Sequence, residues 1–195
     1  GSIPRPTYNE HRAAFENARW SLDDNTFDVQ VLVHPNNPTG EIWSASVFNA
    51  PTVLVDERFV NVAPDTTLIK HSAQPSRIFI KSFGKFWRLT GLWVGFVIGA
   101  GPVISKLREL LGPGPVGGGV IKIETTALYD NEWAVNARSR LKSDAVRLSQ
   151  LMTSYAVTLV GGCDLFWLYD VGDDNRLHDK LANHHIWSRI FPYSK

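Results

Sequence analysis

The sequence predicts an α/β fold, a mostly parallel sheet covered by helices with a smaller α+β lobe after it. Three observations predict it. Four short, nearly all-apolar runs (29–33, 52–55, 77–80 and 94–98) have the pattern of strands buried on both faces. The first three each close on a polar set, as parallel strands do where they leave the core. Past Pro102 the period turns helical and then returns to a pair of short strands.

The elements follow in order. Glu10 to Trp20 has helical spacing, with Ala14, Phe15 and Ala18 on one side. Val29 to Val33, Thr52 to Val55, Arg77 to Ile80 and Val94 to Ile98 are the strands. Pro102 to Leu111 reads as a helix, with proline in its first turn and Gly112 just past its end. Val120 to Tyr129 and Asn131 to Thr153 are two more helices, the second long and charged on its outer face. Val157 to Val160 and Leu165 to Tyr169 form a strand pair joined through Gly161-Gly162. A helix over Asn175 to Asn183 and a strand over Ile186 to Phe191 complete the expected layout. There is no internal repeat and no low-complexity segment.

Composition narrows the class. Hydrophobic residues make up 44% and charged residues 20% of the 195, which is globular, and a formal charge of +1 gives no electrostatic case for nucleic acid or an anionic membrane. Neither is expected as a partner. Cys163 is the only cysteine, so no intrachain disulfide forms, as suits a reducing compartment. A cytoplasmic location is expected: no apolar run reaches the ~18 residues of a membrane span, and the start lacks a charged-then-apolar signal.

The polar sets carry the chemistry. Lys81-Ser82-Phe83-Gly84-Lys85 follows the third strand and precedes the fourth. A lysine on a short turn at a strand's end is placed to be desolvated, which turns it into a nucleophilic amine; the plain alternative is a solvated loop lysine. His34-Pro35-Asn36-Asn37-Pro38-Thr39-Gly40 closes the first strand, and alone reads as a turn. Asp56-Glu57-Arg58-Phe59 closes the second, and alone reads as a polar strand terminus. Taken in order, the three sets converge on one edge of a parallel sheet.

That ordered triplet resembles the fold-type-I pyridoxal-phosphate enzymes, the aspartate-aminotransferase superfamily. The wording is most similar to the threonine-phosphate decarboxylase branch, with histidinol-phosphate aminotransferases as near relatives. The segments concerned are Pro6 to His11, Asn36 to Gly40, Ser82 to Phe86, Gly91 to Phe96, and Leu111-Gly112-Pro113 ahead of a helix containing Trp133. The resemblance implies pyridoxal 5'-phosphate as cofactor. Lys85 would hold its aldehyde as a Schiff base and then serve as acid and base. Asp56 would face the pyridine nitrogen and keep it protonated, Asn37 would donate to the phenolic oxygen, Tyr8 would stack on the ring, and Ser82 would touch the phosphate. Arg189 is the candidate for a substrate anion, with Asn37 beside it. Residues 1–117 are then the large cofactor-binding domain, and 118–195 the interdomain helices and small C-terminal domain.

The implied substrate is a small, phosphorylated amino acid, with L-threonine O-3-phosphate decarboxylation in cobalamin biosynthesis first. Amino transfer of the histidinol-phosphate type is the alternative, and a non-catalytic relative keeping the fold is the second. A homodimer is implied. Two features depart from the family: Trp93 stands where the family carries a phosphate-clamping arginine, and Phe59 removes a hydroxyl. A Gly/Ser-rich phosphate turn would be expected ahead of Pro4 and a carboxylate-gripping arginine after Lys195, so the sequence reads as partial.

Other signals are set aside. Gly112 to Gly117 formally matches Gly-x-Gly-x-x-Gly but follows a helix and carries prolines. His184-His185 have no partner at metal-ligand spacing. The scattered tryptophans are expected in the core.

Overall fold

The computed structural model describes residues 1–23, 25–155 and 157–191. Helix α1 (Asn9–Asn17) precedes strands β1 (Val29–Val33), β2 (Thr52–Asp56), β3 (Arg77–Ser82) and β4 (Gly95–Gly99). Helices α2 (Pro102–Leu111), α3 (Gly118–Tyr129) and α4 (Asn131–Thr153) follow, then strands β5 (Thr158–Cys163) and β6 (Phe166–Asp170) and helix α5 (Asp174–Asn183). The first four strands make one sheet in the order β1-β2-β3-β4; β5 and β6 make a separate antiparallel pair.

The pairs β1–β2 and β2–β3 are parallel, and β3–β4 is antiparallel. The C-terminal ends of β1, β2 and β3 therefore share one edge, which is where the three polar sets begin. The core lies along these strands: Leu32, Val53, Val55 and Phe79 are buried together with Ala50 and Leu68. Such β-branched and aromatic residues suit a pleated surface covered on both faces. Beyond the outer edge of β1, Ser2 runs parallel to it and exchanges backbone hydrogen bonds with Val29 and Val31.

The structure corrects several details. Helix α1 ends at Asn17, and Arg19 just beyond it takes a left-handed backbone. Gly161 and Gly162 lie inside β5, and the turn to β6 comes at Asp164-Leu165. Residues 186–191 form no strand, because no neighbouring strand pairs with them. None of the seven tryptophans is buried; Trp93 is 91% exposed. Large, flat rings meet one another at the surface here, as Trp87 and Trp133 do.

Where the two sheets meet, the backbones touch. Gly40, at the end of the first turn, has φ +74, and a Cβ on it would fall 1.9 Å from the Gly162 carbonyl oxygen. A Cβ on Gly161 would fall 2.1 Å from the Thr39 carbonyl oxygen. Only glycine fits either position.

Candidate active site

The shared strand edge carries three clusters. The first centres on Asp56, the last residue of β2, which has no solvent exposure. His11 of α1 donates from Nε2 to its Oδ2 at 2.7 Å. Arg58 donates from Nε to Oδ1 at 2.8 Å and to Oδ2 at 2.9 Å, and its terminal nitrogen also meets Oδ2. The Arg58 guanidinium lies over the Tyr8 ring, 4.6 Å from its centre, and His11 meets that ring edge-on. Burial works to raise the Asp56 carboxyl, but the hydrogen bonds from His11 and Arg58 outweigh it and hold it below the ordinary carboxylate range. Asp56 is therefore a buried carboxylate at neutral pH.

Glu57 turns to the opposite side, as successive residues at a strand end do. It accepts from Thr67 and from the Leu68 backbone at 2.6 Å each and pairs with Lys81 at 3.1 Å. Lys81 is thus committed to Glu57; Lys85 has no ion-pair partner among the described residues and is exposed, not desolvated as its place on the turn suggests. Its Nζ lies 5.8 Å from the centre of the Phe59 ring. Lys85 lines a cavity of about 470 Å³ with Phe86, Arg88, Trp133 and Arg140, so one wall comes from α4. Arg138 of α4 donates to the Asn61 carbonyl at 2.8 Å and lies over Phe86, which fixes that wall to the lysine turn.

The third cluster is the turn after β1. Asn36 holds it: its amide nitrogen donates to the Pro6 carbonyl and to Thr39 Oγ1, each at 2.8 Å, and its oxygen accepts from Thr7 at 2.6 Å. These bonds tie the segment carrying Tyr8 to the turn carrying Asn37. Asn37 lines a cavity of about 430 Å³ with Trp167, Tyr169, His178 and Arg189. Of these lining residues, Trp167 and Tyr169 have their Nε1 and hydroxyl buried with no partner among the described residues. Arg189 sits in the irregular segment after α5, not on a strand, and donates to Asn9 Oδ1 at 3.1 Å.

Asn37, Asp56, Ser82 and Lys85 thus stand at one sheet edge, with Tyr8 beside Asp56. They do not share one open pocket. Lys85 and Asn37 line different cavities; the Phe59 ring meets both Lys85 and Phe166, and Phe166 lines the Asn37 cavity, its ring 5.1 Å from that of Phe59. Trp93, in a left-handed turn and exposed, brings a neutral indole where a guanidinium would pair with a phosphate. Arg58, His11 and Asn36 are site residues that motif reading passes over. Their only signal is sequence adjacency to Asp56, Tyr8 and Asn37, since partners across a fold leave no local pattern.

The family described as aminotransferase class I and II matches residues 3–191. The chain belongs to that family. A threonine-phosphate decarboxylase of Pseudomonas aeruginosa is 32% identical over 205 residues, covering 95% of this chain and 62% of that protein. The chain thus spans under two thirds of that relative's length. The fold is that of a histidinol-phosphate aminotransferase from Sinorhizobium meliloti, solved in complex with pyridoxal-5'-phosphate (TM-score 0.82, 18% identity, 97% of this chain and 61% of that one). It is equally like the L-threonine-O-3-phosphate decarboxylase from Porphyromonas gingivalis (TM-score 0.81, 14% identity, 96% and 66%).

Proposed function

We propose that this chain is the cofactor-binding part of a pyridoxal-phosphate enzyme that decarboxylates a small phosphorylated amino acid, threonine phosphate first. The observation that carries the proposal is the shared edge: a buried carboxylate on β2, a lysine turn after β3 and an asparagine turn after β1, on three adjacent parallel strands. The donor set fits the cofactor at two ends. Asp56, held ionised in a dry setting, suits a protonated ring nitrogen, and Lys85, with no carboxylate partner among the described residues, suits an aldehyde. Ser82, at the end of β3, is the candidate hydroxyl for the phosphate, with Arg88, on the wall of the Lys85 cavity, as the candidate cation.

When bound, pyridoxal phosphate supplies an electron sink for the pair released as a bond to the substrate's Cα breaks. The chain's residues decide which bond. Asn37 and Arg189, which line one cavity, would hold the substrate's anionic groups, and Lys85 Nζ, which lines a separate cavity in this structure, would have to reach Cα to take or return the proton there. Tyr8 would stack against the ring face once Arg58 left it.

Amino transfer is the second reading, supported by the likeness to histidinol-phosphate aminotransferases, because the same residues serve both reactions. Residues 1–117 are proposed as the large domain and 118–195 as the interdomain helices and small domain of a cytoplasmic homodimer. Among the described residues, no helix is long and apolar enough to cross a membrane.

Incubation with threonine phosphate and cofactor tests the reaction. Carbon dioxide release is expected; amino transfer to a keto acid without it assigns the second reading. Borohydride trapping with peptide mapping tests the site. Label on Lys85, lost in Lys85→Ala, is expected, whereas label on Lys81 or Lys106 refutes the assignment, and no label at all leaves a non-catalytic relative.

A further inference from the structure

Arg58 is an unusual neighbour for Asp56, because it satisfies the carboxylate from two residues away. Oδ1 accepts from the Arg58 backbone N–H at 3.1 Å and from Nε at 2.8 Å. Oδ2 accepts from His11, from Nε and from the terminal guanidinium nitrogen. A carboxylate offers about four acceptor directions, and all are in use. No further N–H donor can reach Asp56 unless one of these leaves.

The Arg58 guanidinium also has the shape of what is excluded. It is a flat cation that donates N–H to a buried carboxylate while one face rests on the Tyr8 ring, 4.6 Å from its centre. A protonated pyridine bound here would make the same two contacts, a ring N–H to Asp56 and a face on Tyr8. Its side chain is 21% exposed, whereas that of Asp56 is fully buried, so Arg58 has a route to water that Asp56 lacks.

We propose that Arg58 is a built-in stand-in for the cofactor ring: it fills the ring-nitrogen end of the site, and pyridoxal phosphate binds by displacing it. This rests on the reading of Asp56 given under Proposed function. The exchange has a physical merit. Removing one partner of a buried ion pair leaves a bare charge and is strongly destabilising. Swapping one planar cation for another keeps Asp56 paired throughout, while His11 stays in place. The identity of residue 58 then sets cofactor affinity.

The test compares wild type with Arg58→Ala, Arg58→Gln and Arg58→Lys. Dissociation constants for pyridoxal phosphate, melting temperature with and without it, and borohydride labelling of Lys85 are measured on each. Arg58→Ala and Arg58→Gln are expected to bind the cofactor at least ~10-fold more tightly than wild type, a difference readily resolved in a dissociation constant. Without cofactor they are expected to melt lower. Arg58→Lys keeps the charge but loses the fork and the planar stack. It serves if the other two fail to fold, and is expected to bind several-fold more tightly than wild type. Equal or weaker binding with Lys85 still labelled overturns the proposal alone, since a merely structural arginine would not yield tighter binding when removed. Absence of Lys85 labelling in every variant overturns it together with the functional reading beneath it.

Discussion

His34 shows how one buried ring can set a pH response. It has no solvent exposure, and both nitrogens are committed: Nε2 donates to the Thr66 carbonyl at 2.9 Å, and Nδ1 accepts from the Trp43 backbone N–H at 3.1 Å. That pattern fixes the neutral tautomer, because a proton on Nδ1 would break the bond from Trp43. Burial holds the imidazole below its usual range against the pull of the Thr66 carbonyl. The unfolded chain therefore takes up the proton first, and stability falls as pH drops below the ordinary histidine value. Chemical denaturation at pH 7 and about pH 5.5 is expected to show wild type losing more stability than His34→Gln. Asp56 acts at lower pH. Its folded carboxyl titrates below the unfolded value of 3.8, so the contribution of its pairing is complete above that value and is lost as pH falls through the folded one. Asp56→Asn is expected to melt lower than wild type at pH 7, and the gap should narrow as pH falls below 3.8 and close only below the folded value. Cys163, by contrast, is a free thiol pushed up to about 11 by burial, and at neutral pH it stays protonated. Of these residues, Asp56 and Lys85 were legible in the sequence as polar breaks at the ends of apolar strands. The engagement of Arg58 with Asp56 was not, because Asp-Glu-Arg after a strand reads as a solvated end until tertiary geometry removes the water.

At the scale of elements, β1 to β3 were legible because buried parallel strands read as unbroken apolar runs. The direction of β4 was not, since an apolar run has no polarity. Residues 186–191 show the same limit from the other side: an extended apolar stretch is a strand only if a neighbour pairs with it. Phe79, at the centre of β3 with no exposure, anchors the sheet. Phe79→Ala is expected to cost about 3–5 kcal/mol in a denaturant titration. The lysine turn depends on α4 instead. Trp87 and Trp133 stack with centres 5.3 Å apart and planes 18° apart, and Phe86 meets Trp133 edge-on at 5.6 Å. Such contacts add about 0.5–1.5 kcal/mol beyond area burial. Trp133→Ala should therefore speed amide hydrogen exchange over residues 84–88 while leaving β1 to β3 protected; uniform loss across the sheet would mean that α4 supports the whole core.

For the whole molecule, the two-part layout was legible in the change from apolar strands to helices and then a hairpin. How the parts meet was not, because Gly40 reads as the end of a turn and Gly161-Gly162 as the start of one. Their close approach has a kinetic consequence. Residues 40 and 161 lie far apart in the chain, and closing so long a loop costs entropy that local pairings do not. Strands β1 to β3 are joined by connections of 18 and 20 residues, far shorter than the span from 40 to 161, and their core residues include none from the hairpin. Docking of β5–β6 on the Asn36-to-Gly40 turn is thus expected as a late step, after the main barrier is crossed. A methyl group at position 161 would strain that docked state without touching the earlier one. In stopped-flow measurements Gly161→Ala is expected to leave the refolding rate of the sheet near that of wild type and to speed unfolding by most of whatever stability it removes.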